Sequence, residues 1–153
     1  MRAASAMTRE VVVIRPDFPL AYAWDLMREH KIRHLPVAVE GTVEGMLSDR
    51  DVLTWSTRAP SGELEVPDVL VRRCMSSPVI TCHRETPVSE IARILTTRKI
   101  DALPVLGVDK RLVGLVTSTD LMELLAERPS PELLPFDFRL LTPNQQHQIR
   151  GAV

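Results

Sequence analysis

Cysteine is scarce in this chain, which excludes a disulfide scaffold. The 153 residues contain only two, Cys74 and Cys82, which are too few for such a scaffold and lie too far apart for a zinc knuckle. We interpret both as reduced, structural residues. Together with His83, and with His34 or His30 from elsewhere in the chain, they could in principle ligate zinc, but the spacing matches no standard ligand set, so no metal site is predicted.

Long apolar runs and an excess of one charge are also lacking. The 19 Lys and Arg residues face 20 Asp and Glu residues, so no surplus of positive charge exists to release counterions from a nucleic acid. No segment approaches the roughly 20 apolar residues that a bilayer span requires, and residues 1–8 contain no apolar run. The sequence therefore predicts a cytoplasmic protein with no nucleic acid and no membrane as partner.

What the chain does contain is an internal repeat. Its two halves align at an offset of 68 residues, which becomes 69 after one residue is added near Lys110. The aligned pairs include Met7 and Met75, Pro19 and Pro87, Lys31 and Lys99, Gly45 and Gly114, and Asp51 and Asp120. Repeats of this length cannot cover their own apolar faces, so the two units should pack on each other.

The apolar pattern within each unit predicts the order strand, helix, strand, strand, helix. Short β-branched runs are typical of strands, and the apolar residues that follow them recur at helical spacing. The helix of the second unit has Thr86 as its predicted N-cap and Pro87 as its first residue. The predicted strands are residues 10–15, 35–39 and 43–47 in the first unit and 78–82, 103–106 and 112–116 in the second. This order predicts an α/β fold in the α+β sense, with helices against small mixed sheets.

Proline and glycine divide the chain into four parts. Residues 1–56 are the first repeat, 57–73 a linker, 74–126 the second repeat and 127–153 a proline-rich C-terminal tail. The tail also carries two Phe and four Leu residues, which argues against pure disorder. We expect it to pack on the two repeats or across a dimer.

Both repeats resemble CBS domains. The resemblance rests on a Met-Thr or Met-Ser lead-in, a helix that starts at proline, a Leu-Pro-Val strand, and a final Gly-Met-Leu-Ser-Asp-Arg-Asp or Gly-Leu-Val-Thr-Ser-Thr-Asp. It covers residues 7–125 and implies one pseudo-twofold module, called a Bateman module, that usually pairs into a flat homodimer. It also implies up to two clefts, each built from the first strand of one repeat and the Ser/Thr-x-x-Asp turn of the other. Such clefts commonly hold AMP, ADP, ATP, S-adenosylmethionine or a related molecule.

The two Ser/Thr-x-x-Asp turns are the candidate binding elements. Each stands where a strand ends and a helix begins, and unpaired N–H groups at a helix start favour a phosphate. The carboxylates of Asp51 and Asp120 could accept hydrogen bonds from both hydroxyls of a ribose. The same pattern is also a capping box, in which both side chains only satisfy the helix end, and the two roles can coexist.

The resemblance assigns two unequal sets of residues to the clefts. The first cleft would contain Arg33, His34, Met46, Ser48, Arg50, Asp51 and Ile80, and the second Val12, Leu115, Thr117, Thr119 and Asp120. Basic residues before the Leu-Pro-Val strand predict that the first cleft prefers phosphorylated ligands, whereas Asp101 would repel a phosphate in the second. As alternatives, Arg33 is a solvated arginine, His34 caps a strand, and Val12 and Ile80 are core residues.

The chain shows no apparatus for catalysis. No Ser-His-Asp or Cys-His arrangement and no Walker or dinucleotide loop is present, so we do not expect an enzyme or a required cofactor. Our first hypothesis is a stand-alone regulatory module that binds an adenosine-type nucleotide and signals to an unidentified protein target by changing its dimer geometry. The alternative is a ligand-free, dimeric interaction or scaffold protein.

Overall fold

The computed structural model describes residues 1–127. The predicted packing of the tail lies outside this range. The elements, in chain order, are α1 (Ala3–Ala6), α2 (Leu20–His30), β1 (His34–Val39), β2 (Thr42–Ser48), α3 (Asp49–Trp55), β3 (Thr57–Arg58), β4 (Leu64–Glu65), α4 (Val71–Cys74), β5 (Cys82–His83), α5 (Val88–Arg98), β6 (Ala102–Leu106), β7 (Leu112–Thr117) and α6 (Ser118–Ala126).

The two repeats use the same architecture, which confirms the predicted mixed α/β class. In the first repeat, β1 and β2 pair antiparallel, and the apolar face of α2 packs against them. In the second, β6 and β7 pair antiparallel, β5 joins β6 in parallel, and α5 supplies the corresponding buried residues. Segment 57–73, predicted as a linker, contains the short antiparallel hairpin β3–β4 and all but the last residue of helix α4.

The first strand of each repeat is much shorter than predicted. In residues 10–15 only Ile14 pairs, in a parallel bridge with Val37, and of 78–82 only Cys82 belongs to a strand. Residues 10–12 and 78–80 instead line the clefts between the repeats. Their β-branched composition therefore reflects partial burial beside a cleft, and the prediction of two full strands was wrong.

The helix starts differ from the prediction as well. Pro87, not Thr86, is the N-cap of α5, and the Thr86 hydroxyl accepts a hydrogen bond from the His83 N–H at 3.0 Å. Proline offers no side-chain acceptor, so the first N–H of the helix needs another partner. The Val88 N–H donates to the Met1 carbonyl at 3.1 Å, and in α2 the Leu20 N–H likewise donates to a carbonyl of the segment that precedes α4.

These caps exist because the leading segment of each repeat, which contains α1 in the first and α4 in the second, packs on the other repeat. Ala3 of α1 is fully buried in the core of the second repeat, and Val71 of α4 is fully buried in the core of the first. Two equivalent backbone bridges join each leading segment to the other repeat: Thr8 pairs with Leu115, and Ser76 pairs with Met46. The two cores are therefore each completed by a segment that the chain order places with the other repeat, which ties the repeats into one unit.

Candidate functional site

In the part of the chain that the structure describes, two clefts lie between the repeats. The larger cleft, of about 520 Å³, brings together the seven residues predicted for the first site: Arg33, His34, Met46, Ser48, Arg50, Asp51 and Ile80. The smaller cleft, of about 310 Å³, brings together the five predicted for the second: Val12, Leu115, Thr117, Thr119 and Asp120. Both volumes fall in the range of roughly 300–1,000 Å³ that is typical of small-molecule sites.

Each cleft draws on both repeats, as the resemblance implied. The larger cleft combines residues 76–80, at the start of the second repeat, with the turn of the first repeat at Ser48. The smaller combines residues 8–12 with the turn of the second repeat at Thr117. The backbone bridges described above place these pieces side by side. A molecule bound in either cleft would therefore contact both repeats at once.

The Ser/Thr-x-x-Asp turns form complete capping boxes. Ser48 Oγ accepts from the Asp51 N–H at 3.2 Å, and Asp51 Oδ2 accepts from the Ser48 N–H at 2.7 Å and from its hydroxyl at 2.8 Å. Thr117 and Asp120 repeat this arrangement with the same three distances. The alternative interpretation of these motifs as helix caps is thus structurally correct for both.

Capping nevertheless occupies only one oxygen of each aspartate. All of the capping bonds accepted by Asp51 and Asp120 end on Oδ2. Within residues 1–127, Oδ1 of neither residue accepts a hydrogen bond, although both side chains are only partly buried and line a cleft. Each carboxylate is therefore held in place by the helix cap and keeps one oxygen, with two lone pairs, to accept from ligand donors.

The predicted charge difference between the clefts is not found. Asp101, expected to repel phosphate in the smaller cleft, lines the larger cleft, and Arg33 and His34 line both. The charged residues of the larger cleft are Arg33, Arg50, Lys99, Asp49, Asp51 and Asp101. Those of the smaller are Lys31, Arg33, Glu10 and Asp120. Basic and acidic side chains are equal in number in each cleft, so the clefts differ in size and shape rather than in formal charge.

Two lysines were missed as site residues. Lys31 lines the smaller cleft and Lys99 the larger, at the C-caps of α2 and α5. Both adopt the left-handed conformation, with φ of 54° and 55°, which a residue with a side chain adopts at some energetic expense. Their alignment in the repeat was visible in the sequence. Because a helix end favours a basic residue in any case, that alignment alone did not indicate a cleft.

His34 lies between the clefts, where it is partly buried and close to charged side chains. Burial lowers its pKa, while the carboxylates of Asp101 and Asp49 act in the opposite direction, and the net effect is a pKa below the ordinary value. The imidazole is therefore neutral at pH 7. One of its ring nitrogens is then a hydrogen-bond donor and the other an acceptor.

The His34 pKa makes stability depend on pH. In the unfolded chain this residue takes up a proton near pH 6.5, whereas the folded protein resists protonation. Its contribution to stability is thus present above pH 6.5 and is lost as the pH falls through the folded pKa. The melting temperature of His34→Asn should fall less between pH 7.5 and 5.5 than that of the wild type. The exposed His30→Asn is the matched control, and equal pH dependence in all three proteins would contradict the assignment.

The cysteines have the character of structural residues. Both are free and buried, and burial raises the pKa of Cys82 to about 11 and also raises the pKa of Cys74. Both thiols are therefore protonated at pH 7 and are poor nucleophiles. Among residues 1–127, no three His, Cys, Asp or Glu side chains lie close enough together to hold a metal ion, and no helix is long and apolar enough to cross a membrane.

Two repeats that exchange their leading segments and enclose a cleft on each side define a paired-repeat module with two clefts of small-molecule size. The family model described as CBS domain matches residues 3–58 and 71–127, and the chain belongs to this family.

Similar proteins include both small CBS proteins and parts of larger ones. The inosine-5′-monophosphate dehydrogenase of Korarchaeum cryptofilum is 36% identical over 119 residues, which are 78% of this chain but 23% of the dehydrogenase. The CBS domain-containing protein YhcV of Bacillus subtilis is 28% identical over 116 residues, which are 75% of this chain and 79% of YhcV. The solved cytosolic domain of the Mg²⁺ channel MgtE in complex with ATP superposes with a TM-score of 0.66 at 26% identity, over 80% of this chain and 48% of that one.

Proposed function

We propose that this chain is a regulatory module that binds an adenosine-type nucleotide between its repeats. The proposal is carried by the Oδ1 atoms of Asp51 and Asp120, which accept no hydrogen bond from residues 1–127 and which the capping boxes hold at the edge of clefts large enough for a nucleotide. A carboxylate oxygen in this position can accept from neighbouring ribose hydroxyls, and charge-assisted bonds of this kind are the stronger ones. Both clefts offer this feature.

The other walls suit the remaining parts of a nucleotide. Met46 and Ile80 give the larger cleft an apolar surface for a base, and Ile80 is 37% exposed, so it is open to such a contact. Arg33 and Arg50 offer donors for a phosphate. Because the charges of each cleft balance, a ligand that combines base, ribose and phosphate fits better than a simple polyanion. The ATP complex of the MgtE cytosolic domain supports this class of ligand.

Regulation would follow from the position of the clefts between the repeats. A ligand that contacts residues of both repeats stabilises the relative orientation in which those contacts are best, and it shifts the population toward that orientation. We propose that the module forms a homodimer, that this shift alters the dimer, and that an unidentified protein target responds to it. Binding of this kind requires no catalytic group and no cofactor.

The second candidate is a ligand-free dimeric interaction protein. It is favoured by large apolar side chains that lie exposed on helices α3 and α6. Leu53 and Trp55 are 46% and 41% exposed, and Met122 and Leu125 are 60% and 67% exposed. Such residues are typical of a surface that a partner covers. The two candidates differ in whether a nucleotide changes the protein at all.

A thermal-shift panel with AMP, ADP, ATP, S-adenosylmethionine, NAD and cyclic dinucleotides tests the proposal. A ligand at 100 times its dissociation constant should stabilise the fold by about 2.7 kcal/mol and raise the melting temperature by several degrees. The matched control is the 2′,3′-dideoxy form of the best ligand, which lacks both ribose hydroxyls and should give little shift. If no ligand of the panel raises the melting temperature, the result contradicts the proposal for these nucleotides and favours the ligand-free alternative. If the dideoxy form acts equally well, the aspartates are only helix caps.

A further inference from the structure

We propose that the two clefts compete for Arg33, so that a phosphorylated nucleotide in one cleft weakens the binding of a second in the other. This inference rests on the proposed nucleotide binding. Arg33 and His34 are the two residues of the described chain that line both clefts. Their counterparts in the second repeat, Asp101 and Ala102, line the larger cleft alone. Arg33 and His34 therefore form a wall that the two clefts share, and the second repeat has no pair of residues in the same role.

The Arg33 side chain is available to either cleft. It is exposed, and it takes part in neither of the ion pairs found within residues 1–127, which join Arg2 to Glu85 and Arg15 to Asp17. Its backbone is held, because the Arg33 carbonyl accepts from the Asp49 N–H at 2.9 Å at the start of α3. The main chain thus anchors the residue between the clefts while the long side chain can turn to one side or the other.

A single guanidinium can make its bidentate contact with one phosphate at a time. The first phosphorylated ligand to bind takes this contact, and the second must bind without it. The neutral His34 beside it carries no charge to replace the lost one. Adenosine, which lacks a phosphate, has no use for the guanidinium, so its two binding events should be independent.

Calorimetry with AMP on single-cleft variants measures the competition. Thr119 and Arg50 are exposed residues at matching positions in the first turns of α6 and α3, and they line the smaller and the larger cleft respectively. Thr119→Trp should fill the smaller cleft and Arg50→Trp the larger, so that each variant reports the association constant of the remaining cleft. For independent clefts, the product of the two stepwise association constants of the wild type equals the product of these two single-cleft constants.

We expect the wild-type product for AMP to be lower than the single-cleft product by about fivefold or more, as for a coupling at the lower end of the usual range. In an Arg33→Gln background, the ratio of the two-site product to the single-cleft product should be near one. The same ratio should be near one for adenosine in the wild type. A wild type that binds one AMP while each single-cleft variant also binds one represents complete competition and supports the proposal.

Three results would overturn the inference. A ratio near one for AMP in the wild type excludes competition. A reduced ratio that persists in Arg33→Gln assigns the antagonism to other groups, such as repulsion between the two phosphates. A single-cleft variant that binds no AMP, beside one that does, shows that one cleft is not a nucleotide site. The failure of AMP and of every other nucleotide to bind any of the proteins would instead reject the proposed function itself.

Discussion

Asp51→Ala should weaken nucleotide binding in the larger cleft by about 100-fold or more. The substitution removes the carboxylate proposed to accept from both ribose hydroxyls, and each charge-assisted hydrogen bond contributes about 1.5–3 kcal/mol. The loss of two such bonds, at 1.4 kcal/mol for each factor of ten, leads to this estimate. Calorimetry with the best ligand of the thermal-shift panel measures it. The larger cleft is expected to be the tighter site because of its greater volume and its apolar surface at Met46 and Ile80.

Asp120→Ala is the matched control. Both substitutions remove the N3 carboxylate of an equivalent capping box, so both should lower stability by a similar amount, about 0.3–1.5 kcal/mol. Only Asp51→Ala should remove the tight site, since Asp120 lines the smaller cleft. If Asp120→Ala removed the tight site and Asp51→Ala did not, our assignment of the tighter cleft would be wrong. If neither affected binding, both aspartates would serve the fold alone.

Gly114→Ala should lower the free energy of unfolding by about 1–3 kcal/mol, the usual range for overpacking a core. A Cβ atom on Gly114 would lie 2.5 Å from Met7 Sδ and 3.0 Å from the Thr8 carbonyl oxygen. The carbonyl cannot move away easily, because Thr8 and Leu115 exchange both backbone hydrogen bonds in the bridge that joins the leading segment to β7. Denaturant unfolding monitored by circular dichroism measures the change.

The double variant Met7→Ala with Gly114→Ala tests the cause of this loss. Against the Met7→Ala background, Gly114→Ala should be less destabilising than in the wild type, because the contact with the sulfur is gone and the contact with the carbonyl remains. Gly45 meets Met75 and the Ser76 carbonyl at nearly the same distances. Gly45→Ala should therefore behave like Gly114→Ala. Equal losses in the single variant and in the Met7→Ala background would contradict the proposed clash.

Much of the fold could be predicted from periodicity, because buried positions leave a regular trace in the sequence. The helices α2 and α5 and the hairpins β1–β2 and β6–β7 are confirmed close to their predicted bounds, since each has one apolar face against a core. Residues 10–15 lack such a simple environment. Residues 10–12 line the smaller cleft, and Ile14 is the one residue of the segment that pairs with a strand. A β-branched run does not distinguish these two settings.

The exchange of leading segments was likewise invisible in the sequence. Ala3 and Val71 carry no pattern that indicates which repeat they complete, because a short apolar segment packs equally well on either core as far as composition is concerned.

The same limit applies to the helix starts. A proline preceded by threonine suggests a side-chain cap, but a carbonyl from a distant segment takes its place at Val88, and no local pattern records a distant acceptor.

The sequence by itself determined the repeat and the secondary structure of its regular parts, because matching motifs in two similar units must occupy matching places. Which residues surround each cleft at Asp51 and Asp120 was implied by the resemblance to CBS domains. Only the tertiary structure decided how charge is shared between the clefts. Arg33 and Asp101 occupy equivalent positions in their repeats, yet Arg33 lines both clefts and Asp101 only the larger. The physical reason is that both residues lie where the two repeats meet. There a side chain's neighbours come from the other repeat, and local sequence carries no information about them.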